Sequence, residues 1–285
     1  MAAESSVQNW LNDTQPLVIS SYTLGTEVPF DERVRVAADA GFAGIGLRAE
    51  NYWDALEAGL DDVAMKDILD RHAVAVMEVE YLTAWGTEQD RDSAQQEKER
   101  TVYHMARTFG VEHVNAGMLE KLPVDVLTNA FAKLCRRAGE LIVGLEFMPY
   151  SGVPDIDTAW AVVSGAGQPN GALLMDGWHW SRAAMTPADL EPVPAEKIVS
   201  IQLCDVAEEP MEPLRAESLG HRLPPGKGYG DVLGMVSALA AKNVGPKVVT
   251  LEVISNDLVG RGLDVAAATS YAAARELLAA VREGP

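Results

Sequence analysis

Residues 142–205 read IVGLEFMPYSGVPDIDTAWAVVSGAGQPNGALLMDGWHWSRAAMTPADLEPVPAEKIVSIQLCD, and the order of elements in this stretch decides the fold. Three short apolar runs, Ile142 to Pro149, Ala172 to Asp176 and Ile198 to Asp205, are bounded by Gly, Pro, Asn or Asp. Between them lie a segment of helical period, Ile156 to Ser164, and a shorter one, Pro187 to Leu190. Strand followed by helix, repeated, is the pattern of βαβ units and a parallel sheet. Outward from this stretch the alternation continues in both directions. Strands are expected at Leu17 to Tyr22, Gly44 to Ala49, Val74 to Leu82, His113 to Met118 and Val248 to Ile254. Helices are expected at Asp31 to Ala40, Asp62 to His72, Asp90 to Phe109, Val124 to Ala138, Asp231 to Lys242 and Val265 to Val281. Gly41, Gly110, Gly139 and Gly165 read as helix stops, and Pro29 before Asp31 as a start.

Eight strands, each followed by a helix, over about 250 residues have the size and order of a closed (β/α)8 TIM barrel. A doubly wound dinucleotide-binding sheet would show fewer strands and a glycine-rich first turn opening a helix. Here Gly41, Gly44 and Gly46 lead into a strand instead. A single catalytic domain over 16–285 is expected, preceded by a loose polar tail at 1–15. The longest irregular stretch, Val206 to Gly230, follows the seventh strand at the face where barrels carry their chemistry, so a functional loop is expected there.

Composition excludes several classes. Acidic residues number 42 against 23 basic ones, a formal net charge of −19, which repels a nucleic acid backbone. No run of 18 apolar residues suggests a membrane span, and the N-terminus lacks the basic and apolar segments of a signal peptide. A cytoplasmic protein is the expectation, with Cys135 and Cys204 as reduced core thiols.

The strand ends carry unusual polarity: Leu145-Glu146-Phe147, Met175-Asp176-Gly177-Trp178-His179, Ile201-Gln202-Leu203-Cys204-Asp205 and Leu251-Glu252-Val253. Buried carboxylates are costly unless paired or bound to a metal, and three of them converging at one barrel mouth would repel one another. One divalent ion held by Glu146, Asp176, Gln202 and Glu252 resolves that conflict. Carboxylate and amide oxygens suit a hard ion, Mn²⁺ first, with Mg²⁺, Co²⁺ or Zn²⁺ as alternatives.

These motifs, with His221-Arg222-Leu223-Pro224-Pro225-Gly226-Lys227-Gly228 in the long loop, resemble the xylose isomerase-like TIM barrels, the sugar-phosphate isomerase and epimerase superfamily. The likeness runs over nearly the whole chain. In that family the positions matching Glu146, Asp176, Gln202 and Glu252 carry the metal, and the position matching His179 touches substrate. Sugar epimerases and isomerases of the family commonly have His where this chain has Gln202. With Asp205, the Pro-rich loop and the stretch from Gly46 to Trp53, the chain resembles the lyase branch, including 3-dehydroshikimate dehydratase and the catalytic subunits of C-glycoside deglycosidases.

The resemblance implies a metal-dependent lyase that takes a proton from the carbon beside the carbonyl of a 3-oxo sugar and expels a leaving group by β-elimination. The alternative is an isomerase or epimerase starting from the same proton transfer. The proton carriers would be His179, Glu146 or Glu252. Arg222, Trp53, Trp85, Trp178, Arg48 and Lys227 are candidate substrate contacts, with Tyr22, Glu80 and Asn115 facing the mouth if strand parity holds. The expected partner is a small sugar-like molecule. An oligomer is expected too, with a small second subunit over the site where the deglycosidase likeness applies.

Overall fold

A computed structural model describes residues 10–89 and 91–283. Eight parallel strands form the sheet: β1 (Val18–Ile19), β2 (Gly44–Arg48), β3 (Ala75–Glu80), β4 (His113–Ala116), β5 (Ile142–Glu146), β6 (Gly171–Asp176), β7 (Ile198–Leu203) and β8 (Val248–Leu251). Their order is β3-β2-β1-β8-β7-β6-β5-β4. Beyond the end of β3, Leu82 bridges to Ala116 in parallel register, and its N–H reaches the Asn115 carbonyl at 3.0 Å. That contact joins the two outer strands of the sheet and makes it a (β/α)8 barrel.

Around the strands lie α1 (Phe30–Ala40), α2 (Ala49–Glu57), α3 (Asp62–His72), α4 (Ser93–Phe109), α5 (Val124–Ala138), α6 (Ile156–Ala166), α7 (Gly177–Arg182), α8 (Leu214–Ser218), α9 (Val232–Ala241), α10 (Asn256–Gly260) and α11 (Leu263–Glu283). Burial explains their docking. In α5, Leu127, Ala130, Phe131, Leu134, Cys135 and Ala138 recur at three- and four-residue intervals and are all buried, one apolar stripe laid on the sheet. Asp61, Asp92 and Asp155 cap α3, α4 and α6 by accepting the N–H of the third residue onward. Among the described residues no helix is long and apolar enough to cross a membrane.

Several boundaries differ from the sequence expectation. The first strand is only Val18–Ile19, because Ser21–Leu24 turn into a 3-10 helix. Gly165 does not stop α6, which continues to Ala166 and ends on Gly167 in the left-handed region at φ 61°. Asp90 lies outside the described residues, and α4 starts at Ser93. Four helices, α2, α7, α8 and α10, lie outside the expected helical segments, α2 taking over from the expected second strand at Ala49 and α8 lying in the expected long loop. Of the expected tail, residues 1–9 lie outside the described residues, while Trp10 and Leu11 are packed into the main hydrophobic core. Burying two large apolar groups stabilises the fold enough to order that part of an otherwise polar segment.

The barrel interior is polar over its upper half. Glu78, Glu80, Asn115, Ser200 and Gln202 are all buried there, joined side chain to side chain, with His113 buried at the start of β4 3.9 Å from Glu78. This network underlies the mouth.

Candidate active site at the barrel mouth

Strand ends bring the acidic residues together. Glu146 ends β5 and Asp176 ends β6. Asp176 is also the N-cap of α7, accepting the His179 N–H on Oδ1 at 2.8 Å, so a three-residue turn puts the imidazole beside the carboxylate. Gly177 permits that turn: a Cβ there would lie 2.6 Å from the Cys204 carbonyl oxygen. Ligand-type atoms of Glu146, Asp176 and His179 lie within 4.8 Å of one another, all three buried.

Glu146 is half-committed. Its Oε2 accepts the Tyr81 hydroxyl at 2.6 Å. Its Oε1 has no hydrogen-bond donor among the described residues, although His179 Nε2 stands 3.3 Å away. Gln202 is similarly arranged. Its amide nitrogen donates to Glu80 Oε1 at 2.7 Å and to Glu78 Oε2 at 3.4 Å, and its Oε1 has no partner among the described residues.

Two arginines fill the other side. Arg222, 2% exposed, sends one guanidinium nitrogen to Asp176 Oδ2 at 2.8 Å and to Glu252 Oε2 at 3.1 Å, with Cys204 Sγ at 3.4 Å. Ser218 anchors the rest of the guanidinium through its carbonyl and hydroxyl. Arg48 lies 3.3 Å from Glu80 Oε2 and 3.4 Å from Glu252 Oε1, its guanidinium stacked 3.8 Å over the Tyr22 ring. Glu252 also accepts the Ser20 hydroxyl.

Negative charge exceeds positive in this interior: Glu78, Glu80, Glu146, Asp176 and Glu252 face two guanidinium groups. Titration reflects the imbalance. Burial, reinforced by Glu146 and Asp176, pushes the Glu252 carboxyl up to about 7 although Arg222 and Arg48 pull it down. Burial and the neighbouring carboxylates hold Glu80 well above the usual range against Arg48. Asp176 goes the other way: burial opposes its charge, but Arg222 and His179 outweigh it. Unpaired buried acceptors on Glu146 and Gln202, excess negative charge and an oxygen and imidazole donor set fit a divalent cation.

The sequence profile of the xylose isomerase-like TIM barrel family matches residues 34–281. The chain belongs to that family. No curated protein matches the sequence. Among solved structures, the IolI protein with a bound zinc atom superposes with a TM-score of 0.80 at 18% identity, covering 93% of this chain and 98% of its own. The probable 3-DHS dehydratase AsbF of petrobactin synthesis from Bacillus anthracis gives 0.71 at 12% identity, covering 89% and 97%. A fusion protein of a xylose isomerase-like TIM barrel with 4-hydroxyphenylpyruvate dioxygenase gives 0.78 at 19% identity over 90% of this chain. The present chain spans only 42% of that fusion.

In this xylose isomerase-like barrel the mouth opens into a cavity of about 240 Å³, and Arg48, Glu146, His179, Arg222, Glu252 and Tyr22 are among the residues that line it. Other expected contacts lie elsewhere. Lys227 is exposed and pairs with Glu276 on α11. Trp85 is a core residue, donating to the Gly117 carbonyl and packed edge-on against Phe131. Trp53 packs on the core and donates to Thr101. Trp178 backs the site from behind, bonded to Glu217 with its ring edge against His179. Glu80 and Asn115 are engaged with each other below the cavity. Tyr81, Tyr150, Thr83, Lys98 and Arg215 also line the cavity and were not anticipated. Period-2 parity along β3 would have pointed to Tyr81 or Glu80, not both; Thr83 and Tyr150 sit on connections, and Lys98 on α4 and Arg215 on α8 reach the mouth from helices outside the strand ends.

The long loop is built around Asp205. Its carboxylate accepts the N–H groups of Val206, Gly226, Gly228 and Gly230 at 2.8–3.1 Å. A Cβ on Gly228 would sit 2.6 Å from Asp205 Oδ1, so glycine lets the backbone wrap the carboxylate. Asp205→Ala strips four N–H groups of their acceptor, that of Val206 buried and those of the three glycines part-buried. With charge-assisted bonds contributing about 1.5–3 kcal/mol, a clear fall in the urea midpoint is expected. Because the loop carries Arg222, activity should fall with it. An unchanged midpoint would count against this role.

Proposed function

We propose that the chain is a divalent-metal-dependent lyase that removes a proton beside the carbonyl of a 3-oxo sugar of the C-glycoside type and completes β-elimination. The observation that carries this reading is the asymmetry of the two carboxylates lining the cavity. Glu252 is held by Arg222, Arg48 and Ser20, whereas Glu146 keeps Oε1 free of hydrogen bonds beside His179. Proton exchange on both faces of a carbon needs two available bases. One-sided removal needs only one, and the His179 imidazole beside Glu146 supplies it, which supports elimination.

Glu146 and Asp176 would hold the ion, Mn²⁺ by preference, with Gln202 Oε1 and Glu252 completing the set. When bound, such an ion polarises a carbonyl as a Lewis acid. The zinc atom bound by IolI, a protein of the same fold, is consistent with this. His179 carries the proton: its Nε2 stands against Glu146, its Nδ1 has no partner among the described residues, and Asp176 fixes its backbone. Arg48 and the tyrosines Tyr22, Tyr81 and Tyr150 suit a polyhydroxy ring in a cavity of about 240 Å³.

A second reading, isomerase or epimerase of a free sugar, is favoured by one observation: Glu146 and Glu252 do both line the cavity. Product analysis distinguishes them. Mn²⁺-loaded protein incubated with 3-oxo C-glycosides should release the aglycone. Turnover of free ketoses alone would overturn the lyase reading and establish the other.

A further inference from the structure

Two adjacent residues at the end of β3, a strand that supplies none of the expected ligands, each grip one of them from behind. Glu80 takes the amide nitrogen of Gln202 at 2.7 Å, and Tyr81 donates its hydroxyl to Glu146 Oε2 at 2.6 Å. In both cases the atom left over is a buried oxygen, Gln202 Oε1 or Glu146 Oε1, with no hydrogen-bond partner among the described residues. We propose that Glu80 and Tyr81 are positioning residues that turn the ion-facing oxygens of Gln202 and Glu146 into the site.

The physical need is specific to an amide. A glutamine side chain can present either its oxygen or its nitrogen after a half-turn about its last torsion, and only the oxygen is a ligand. Against Gln202 stand Glu80 and Glu78, carboxyl groups that already accept from Asn115 and Ser200, and so offer the amide an acceptor for its N–H rather than a donor for its oxygen. They select one orientation. Glu80 is itself fixed, receiving the Asn115 amide at 3.1 Å and lying 3.3 Å from Arg48. Glu80 is therefore held between an ion pair with Arg48 on one oxygen and the Asn115 and Gln202 amides on the other.

Tyr81 does the equivalent for Glu146. A carboxylate with one oxygen tied to a hydroxyl loses a rotational choice, and its second oxygen is aimed. Space for this hydroxyl is reserved: a Cβ on Gly117 would lie 1.8 Å from it. Met148 Sδ flanks it at 3.6 Å.

This inference rests on the proposed divalent ion, and the test separates the two. Metal-stripped wild type, Glu80→Gln and Tyr81→Phe are titrated with Mn²⁺ by calorimetry and with Co²⁺ followed by its visible absorption. Thermal midpoints of the metal-free proteins serve as the control for folding. Outer partners of ligands are worth about 10–100-fold in metal affinity, and that weakening is expected in each variant, with an altered Co²⁺ spectrum. A merely structural role would shift midpoints and leave the spectrum alone. Tyr81→Phe removes a single oxygen and keeps the ring, so it stays informative if Glu80→Gln fails to fold. Wild-type affinity and spectrum in both variants overturn the inference and leave the metal reading intact. A wild type that binds neither ion overturns both.

Discussion

Glu146→Gln should abolish divalent-ion binding and turnover together while leaving the protein folded. Three features of the site make this the cleanest deletion. Glu146 is a member of the Glu146, Asp176 and His179 cluster, lines the cavity and among the described residues forms no ion pair with an arginine. The amide is nearly isosteric, and its carbonyl can still accept the Tyr81 hydroxyl, so packing is preserved. Removing one negative charge from an interior where five carboxylates face two guanidinium groups relieves repulsion, so the metal-free protein should be no less stable than wild type. Activity should fall by about 10³-fold, the scale for losing one charged member of a preorganised site. Mn²⁺ affinity should fall by more than the roughly 100-fold ceiling for outer partners. Calorimetric titration and a thermal melt on the same sample check both halves. Retained binding with full activity would remove Glu146 from the site. Asp176→Asn is a poorer probe, since it also breaks the contact with Arg222 and alters the cap of α7.

The barrel was legible in the sequence because its signals are local and repeated. Runs such as Ile198 to Leu203 and stripes such as Leu127, Phe131 and Leu134 state their burial in the order of residues. The short elements were less legible: α2 begins on the residue after β2 ends, so its stripe of Ala49, Tyr52 and Ala55 is confounded with a strand-end motif. Of the site, the strand-end acids could be named, because a carboxylate flanked by apolar neighbours is conspicuous. Their pairing could not. That Arg222 would reach Asp176 and Glu252 depends on the fold of a 25-residue loop around Asp205, a long-range arrangement with no periodic trace. The tryptophans misled for a related reason: proximity to a strand end in sequence does not tell which side of the strand a ring takes. Trp85 and Trp178 turned away from the cavity into apolar packing or onto Glu217.

Arg222→Met is the second large effect expected, and it falls on stability as well as activity. This guanidinium is shared by Asp176 and Glu252, with contacts of 2.8 and 3.1 Å. Methionine fills much of the volume, leaves Asp176 without its arginine and leaves Glu252 with Arg48 alone. Removing one partner of such a buried pair costs about 3–5 kcal/mol, and the urea midpoint should fall accordingly. The loss should grow with pH. Glu252 already sits at about 7, above its ordinary range, because of burial and Glu146, and Arg222 is the strongest influence holding it down. A carboxyl raised in the folded state binds protons that the unfolded chain releases, so stability declines as pH rises from the ordinary glutamate range through the folded value. Without Arg222 that value moves higher, and the decline extends over a wider span. Asp176 adds to it in the same direction, because the stabilisation that Arg222 gives it above its ordinary range disappears. The variant should therefore lie closest to wild type near pH 5 and furthest from it near pH 8, measured by denaturant unfolding of metal-stripped protein. Arg222→Lys keeps a charge but loses the guanidinium fork that Ser218 anchors, and should fall between the two. A methionine variant with the wild-type midpoint at pH 8 would mean that the carboxylates are neutralised by some other group.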